Sequence, residues 1–175
     1  MAPGFTAEMD QGPGPFGTYG GAMSTSTRRV KLANLVPGFY QAMIELDAVS
    51  ATGLDPALAH LVRIRASQLN GCSYCTDMHS LDLLHLGDNQ QRIALLPVWR
   101  ESRTFYSQQE QAALELTDAI TLISVDHVPD DVYDLAAKAF DDKDLAQLIA
   151  LIVTINAWTR IGVTGRMEPG HYKPS

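Results

Sequence analysis

Cysteine is scarce in this chain, which carries only Cys72 and Cys75 among its 175 residues. A chain of this length buries enough apolar surface to fold without covalent crosslinks. The two cysteines are therefore not needed to hold the fold together. In a reducing compartment, a close pair of cysteines is more typical of redox chemistry or metal binding than of a permanent structural bridge.

Basic residues and long apolar runs are also few. Thirteen Lys and Arg stand against 20 Asp and Glu, which leaves a net charge of -7. A nucleic-acid surface needs a clustered excess of Lys and Arg, so we expect no nucleic-acid partner. No apolar run approaches the roughly 20 residues of a membrane helix, and the first residues lack the pattern of a secretory signal. We therefore expect no membrane association and a cytoplasmic location.

Glycine and proline are concentrated at the beginning of the chain. The first 23 residues carry six Gly and three Pro, a composition that cannot bury enough surface to offset the entropy of ordering. We predict a disordered tail over residues 1–30, one helical domain over 31–165 and a C-terminal tail over 166–175.

Apolar residues recur at helical spacing from Pro37 onward, and no convincing strand alternation appears. The segment from Leu145 to Trp158 is apolar nearly all round, which is typical of a central helix or of one shared with another subunit. The sequence thus predicts an all-α, single-domain bundle of about seven helices. The boundary signals are Pro56 and Pro129 for starts, Asn70-Gly71 and Gly87 for ends, and the capping boxes of Asp88 with Gln91 and Ser107 with Glu110.

Both cysteines and one histidine fall within eight positions, in the stretch SQLNGCSYCTDMHS. Because the Asn70-Gly71 signal ends one helix, the next has to begin at or just after Cys72. Cys72, Cys75 and His79 then share one helical face. Regular helical spacing sets Cβ atoms about 5–6 Å apart, and a relaxed disulfide needs about 3.5–4.5 Å. A bridge would therefore require an adjusted first turn and would be easy to reduce.

Unpaired amide groups in a first helical turn favour a thiolate, and His79 can accept its proton. We expect the two sulfurs to be exposed at the start of the helix, with Asp77 and Asp82 on its solvent side. Two other interpretations remain open. The thiols could be buried core residues, or they could bind zinc together with His79, His60 or His85.

The stretch VRIRASQLNGCSYCTDMHSLDLLHLG, with ALLPVWRES and TINAWTRIGV further on, closely resembles the AhpD-like alkylhydroperoxidase group of the carboxymuconolactone decarboxylase family. The resemblance extends from about Leu35 to Val163. It implies an AhpD-like helical bundle that assembles as a homo-trimer or homo-hexamer. It also implies a thiol-dependent peroxidase with peroxiredoxin-type, antioxidant activity on hydroperoxides.

The resemblance further implies a role for each residue of the motif. Cys75 corresponds to the peroxidatic cysteine, Cys72 to the resolving cysteine and His79 to the relay histidine. An external dithiol, of the thioredoxin or lipoyl type, would restore both thiols, and no cofactor or bound metal is expected. The competing interpretation is a non-catalytic helical oligomer that senses redox state or holds zinc through the same cluster.

Two positions depart from the family pattern. His60 stands where the family usually has a glutamate, twelve residues before the first cysteine. An imidazole can accept a thiol proton, so we include His60 among the candidate catalytic residues, although it cannot supply a permanent negative charge. Tyr74 stands where some members carry a histidine, and we expect its ring to form a pocket wall.

Overall fold

The computed structural model describes residues 29–174, and within that range it contains helices and no strand. Nine segments are α-helical, and two short 3-10 segments, Leu96–Glu101 and Arg103–Phe105, connect the middle of the chain. The α-helices are α1 (Leu32–Leu35), α2 (Pro37–Ser50), α3 (Pro56–Leu69), α4 (Ser73–His85), α5 (Gln90–Leu95), α6 (Gln108–Thr121), α7 (Ile123–Asp126), α8 (Asp130–Ala139) and α9 (Asp142–Gly165).

The predicted all-α fold is confirmed. The seven predicted helices correspond to α2–α6, α8 and α9, whereas α1 and α7 are single turns of four residues that the apolar pattern did not indicate. Most of the tail predicted over residues 1–30 lies outside the described residues. The proposed division into two tails and one domain therefore stays a prediction.

Side chains at the helix starts show why the boundaries fall where they do. Asp55 is the N-cap of α3 and accepts a hydrogen bond from the Leu58 amide at 2.9 Å. Pro56 follows it in the first turn of the helix. The predicted capping box of Ser107 and Glu110 is present at α6. The predicted box at Asp88 is wrong by one residue, because Asn89 caps α5.

Helix α9 lies at the centre of the domain and contacts α2, α3, α4, α6 and α8. Among the described helices it alone is long and apolar enough to cross a membrane by length and composition. Its apolar character is explained by the core, where its side chains are buried against those of α3, α6 and α8. The α9 members of that core are Leu145, Leu148, Leu151 and Ile152.

A buried ion pair ties α3 to α6. Arg65 donates to both carboxylate oxygens of Asp118, at 2.6 and 2.9 Å, and to the Pro97 carbonyl at 3.3 Å. Trp99 and Arg100, from the first 3-10 segment, donate to the same carboxylate. Because Arg65 and Asp118 are both buried, this network orients α3, which leads into the cysteine motif.

Candidate active site

The turn between α3 and α4 places the first cysteine. The Gly71 amide donates to the Gln68 carbonyl at 3.2 Å and the Cys72 amide to the Ser67 carbonyl at 2.9 Å, the two bonds of a Schellman motif. Gly71 adopts a φ of 68°, in the left-handed region that glycine occupies without steric cost. As predicted, Asn70-Gly71 ends α3 and α4 starts immediately after Cys72.

Cys72 and Cys75 are joined as a disulfide, with Cα atoms 5.4 Å apart. Cys72 is the N-cap of α4 and has extended backbone angles, φ -87° and ψ 95°, so it is free of the regular helical spacing. This is the adjusted first turn that the sequence requires for a bridge. The Cys75 amide also donates to Cys72 Sγ at 3.3 Å, so the start of the helix bonds the sulfur directly.

The prediction that the sulfurs are exposed is wrong. Cys72 is 2% exposed and Cys75 4% exposed, because Ala66 and Ile155 pack over them. Cys75 nevertheless lines a partly open cavity of about 190 Å³, and His79 lines the same cavity. The disulfide is therefore covered by side chains and reached through this cavity.

Aromatic and thioether side chains form the walls of the cavity. Tyr40 and Trp158 meet edge to face with ring centroids 5.3 Å apart, and Met167 follows from the segment after α9. Tyr74 also lines the cavity, as expected for a pocket wall. An apolar opening of this kind suits the organic part of a small substrate.

His79 is buried at 5% exposure, and the structure brings His60 and Asp82 to it. Asp82 Oδ2 lies 3.7 Å from His79 Nδ1 and 3.8 Å from His60 Nδ1, and the two imidazole centroids are 5.4 Å apart. The prediction that Asp82 faces solvent is wrong. It lies three residues after His79, hence on the same flank of α4, and that flank packs against α3.

Burial controls the charge on the two imidazoles. The pKa of His60 falls to about 4, because desolvation and the neighbouring His79 lower it by more than Asp82 raises it. Desolvation also lowers the pKa of His79. Burial opposes ionisation of Asp82, but its polar contacts with His79 and Tyr172 lower its pKa. At neutral pH the group therefore consists of two neutral imidazoles and one carboxylate.

The segment after α9 packs on α4, although we predicted it only as a tail. The Gly170 amide donates to Asp77 Oδ2 at 2.8 Å, and the Tyr172 hydroxyl donates to Asp82 Oδ1 at 2.7 Å. Asp77 is therefore half-buried, and the prediction that it lies on the solvent side of α4 is wrong as well. The hydrogen bond to Asp82 raises the pKa of Tyr172 to about 12.

Two residues of the site, Gly162 and Asn156, lie in the stretch TINAWTRIGV, but their contacts could not be read from that motif. Gly162 on α9 faces the disulfide, and a Cβ there would lie 2.9 Å from Cys72 Sγ. Asn156, also on α9, accepts from Asn70 Nδ2 at 2.9 Å and donates to Thr121 Oγ1 at 3.0 Å, which holds the turn before Cys72. His85, the other histidine weighed as a zinc ligand, is exposed at the far end of α4.

An all-α bundle with a C-x2-C-x3-H motif at a helix start defines an AhpD-like protein. Residues 37–119 match the carboxymuconolactone decarboxylase family. The chain is 36% identical over 138 residues to the uncharacterised protein YdfG of Bacillus subtilis. The aligned region covers 78% of this chain and 93% of YdfG. The chain belongs to the carboxymuconolactone decarboxylase family, as its motifs predicted.

Solved structures agree with this assignment. A protein of unknown function from Agrobacterium tumefaciens, proposed to be the antioxidant defence protein AhpD, is 36% identical with a TM-score of 0.78. The match covers 82% of this chain and 99% of that one. An uncharacterised peroxidase-related protein from Ralstonia eutropha, with an AhpD core, shares the fold at 18% identity and a TM-score of 0.69, over 79% of this chain and 74% of that one.

Proposed function

We propose that this protein is a thiol-dependent peroxidase that reduces hydroperoxides through Cys72 and Cys75. The observation that carries the proposal is the Cys72–Cys75 bond at the start of α4, beside a cavity that Cys75 and His79 both line. The thiol pair can donate two electrons to a peroxide as it becomes a disulfide, and the cavity gives a substrate access to one of the two sulfurs.

The proposed catalytic cycle has three steps: formation of a sulfenic acid, formation of the disulfide and reduction of the disulfide. The Cys75 thiolate attacks the distal oxygen of ROOH, the O–O bond breaks, and ROH leaves after taking up a proton, with Cys75 oxidised to a sulfenic acid. The Cys72 thiolate then attacks Cys75 Sγ, and hydroxide leaves as water after protonation. An external dithiol of the thioredoxin or lipoyl type finally reduces the disulfide and becomes a disulfide itself.

We assign His79 as the base that accepts the Cys75 proton. Burial lowers the pKa of His79, so its imidazole is neutral at neutral pH and can take up a proton. When it accepts the Cys75 proton, the Asp82 carboxylate 3.7 Å away stabilises the resulting imidazolium. His60 contacts His79 and Asp82, so we place it as a neighbour of the base. In this arrangement Asp82 supplies from α4 the negative charge that the family pattern expects at position 60 on α3.

The start of α4 stabilises the thiolate of Cys72, whereas Cys75 is served by His79. The Cys75 amide bonds Cys72 Sγ, so it stabilises the Cys72 thiolate when an external dithiol attacks Cys75 and Cys72 leaves. His79 follows Cys75 by one turn and serves the attacking thiol. This division agrees with Cys75 as the peroxidatic cysteine and Cys72 as the resolving cysteine.

The proposal is tested by treating reduced protein with an organic hydroperoxide. We expect loss of both thiols and a mass decrease of about two hydrogens, followed by catalytic peroxide consumption once a dithiol is supplied. Cys75→Ser abolishes the reaction, whereas Cys72→Ser stops at a sulfenate that a sulfenate-specific reagent traps. Thiols that stay titratable after the treatment contradict the proposal, and stoichiometric oxidation without turnover favours a redox sensor.

We also propose that the chain acts in the cytoplasm as a homo-trimer or homo-hexamer. Helix α2 leaves a run of large apolar side chains exposed, and burying them against further copies removes that area from water. Light scattering after gel filtration measures the assembly, and a monomer at micromolar concentration would contradict it. The exposed residues are Phe39, Ile44, Leu46 and Val49.

A further inference from the structure

His60, His79 and Asp82 bring three metal-ligating atoms together beside the disulfide. The ligand atoms all lie within 4.8 Å of one another. Asp82 Oδ2 is 3.8 Å from His60 Nδ1 and 3.7 Å from His79 Nδ1, so one oxygen faces both nitrogens. Neither cysteine belongs to this set of ligands, because Cys72 and Cys75 are bonded to each other.

The two ring nitrogens are buried without a hydrogen-bond partner among the described residues. His60 Nδ1 and His79 Nδ1 are both inaccessible, and His79 as a whole is only 5% exposed. Buried polar atoms are normally satisfied, because leaving one unpaired costs about 1–3 kcal/mol. Two unpaired nitrogens that face one carboxylate oxygen form a donor set that a bound cation would satisfy.

We propose that His60, His79 and Asp82 form a binding site for one divalent transition-metal ion of the zinc class. Two imidazole nitrogens and one carboxylate oxygen suit Zn²⁺, Co²⁺ or Fe²⁺ better than Ca²⁺ or Mg²⁺, which prefer oxygen ligands alone. Ligands around tetrahedral zinc are about 3.4 Å apart, given metal–ligand bonds of about 2.0–2.2 Å. The two imidazole–carboxylate distances therefore need to close by a few tenths of an ångström, and the two imidazole nitrogens, which lie within 4.8 Å of each other, by up to about 1.4 Å.

The surroundings of Asp82 match those of a metal-ligating carboxylate. Its Oδ1 accepts a hydrogen bond from Tyr172 at 2.7 Å, which leaves Oδ2 turned toward the two imidazoles. Groups that hold a ligand from behind in this way are a regular part of metal sites. Arg63, whose charge reaches both imidazoles, is paired with Asp47 at 3.1 Å, so it does not repel a cation as a free charge would.

Metal binding at this site is separate from the proposed peroxidase function, but a bound metal would affect that function. A metal on Nδ1 of His79 fixes the other ring nitrogen as a proton donor, so His79 can no longer accept the Cys75 proton. Zinc therefore inhibits peroxide reduction. This consequence rests on the proposed function, whereas metal binding itself does not.

The oxidised protein provides the direct test, because its disulfide prevents the thiols from binding metal. Isothermal titration of oxidised, chelator-treated full-length protein with Zn²⁺ is expected to give one equivalent per chain, and Co²⁺ is expected to give the visible absorption of a nitrogen and oxygen site. His60→Ala and Asp82→Asn each weaken zinc binding by more than the roughly 10–100-fold typical of a supporting residue. Tyr172→Phe weakens it within that range.

His85→Ala is the matched control, since His85 is exposed on the same helix and its loss leaves zinc affinity unchanged. Circular dichroism of each variant before titration verifies that the helices persist. Saturable binding that survives His60→Ala and Asp82→Asn, or no saturable binding by oxidised wild type, overturns the site. Neither result affects the peroxide assay, which is run on metal-free reduced protein, so the two proposals fail separately.

Discussion

Gly162 on α9 lies directly against Cys72: a Cβ at position 162 would come within 2.9 Å of Cys72 Sγ and 3.5 Å of Cys75 Sγ. The central helix can approach the disulfide only because this position has no side chain. Since the disulfide fixes the sulfur, an added methyl group has to be accommodated by movement of α9 or α4. In the reduced protein the Cys72 side chain can rotate away.

Gly162→Ala is therefore expected to destabilise the oxidised protein more than the reduced one. Overpacking costs about 1–3 kcal/mol, which corresponds to a rise of about 20–60 mV in the disulfide's reduction potential. Equilibration with a dithiol buffer measures the potential. Gly165→Ala is the control, because a Cβ there meets nothing within 4 Å. An unchanged potential in Gly162→Ala would show that the close contact does not constrain the disulfide.

Asp118→Asn is expected to destabilise the fold strongly. The carboxylate accepts hydrogen bonds from Arg65, Trp99 and Arg100, and its loss leaves the buried Arg65 charge without a carboxylate partner. Breaking a buried pair on one side costs about 3–5 kcal/mol. Urea denaturation measures the free energy of unfolding. Glu115→Gln removes a more exposed partner of Arg100 and should cost less than about 1 kcal/mol, so equal losses would contradict the role given to burial.

His60 makes stability depend on pH in a definite direction. Burial lowers its pKa to about 4 in the folded protein, whereas in the unfolded chain it titrates near 6.5. Between those values the unfolded state binds the extra proton. Stability from this residue is therefore present above about pH 6.5 and is lost as the pH falls toward 4.

Urea midpoints at pH 7 and pH 5 test this expectation. The wild type should lose more stability between the two than His60→Gln, which cannot take up a proton. Nuclear magnetic resonance titration gives the His60 midpoint directly. A midpoint near 6.5 would show that the imidazole is not buried as described.

Tyr172 provides a test of the packed C-terminal segment. Its hydrogen bond to Asp82 raises its pKa to about 12, so the contact is intact below about pH 10 and is lost as the pH rises through 12. Late ionisation is expected for Tyr172 when tyrosinate absorbance is followed, and also for Tyr106, because burial raises the pKa of Tyr106. Tyr172→Phe removes one late-ionising group, whereas Tyr133→Phe, at an exposed tyrosine on α8, removes none. A late phase of equal size in Tyr172→Phe and in the wild type would place Tyr172 away from Asp82.

The cysteine motif was predictable because its geometry is local. Helical spacing sets Cys75 and His79 on one face, and the Gly71 turn indicates that α4 begins just after Cys72. The exposure of the sulfurs was not predictable in the same way, because Ile155 covers them from more than 70 positions away along the chain. Asp82 was placed on the wrong side for a similar reason, since the packing of α3 decides which flank of α4 is buried.

What the sequence by itself determined is the helical fold, the positions of most helix ends and the motif of Cys72, Cys75 and His79. These follow from interactions between residues a few positions apart, such as caps, turns and the 3.6-residue period. Only the tertiary structure decided that His60 meets His79 and Asp82, that Gly162 admits the disulfide and that Tyr172 holds Asp82. Those contacts join distant segments, and they depend on how the helices pack against one another, which local periodicity does not specify.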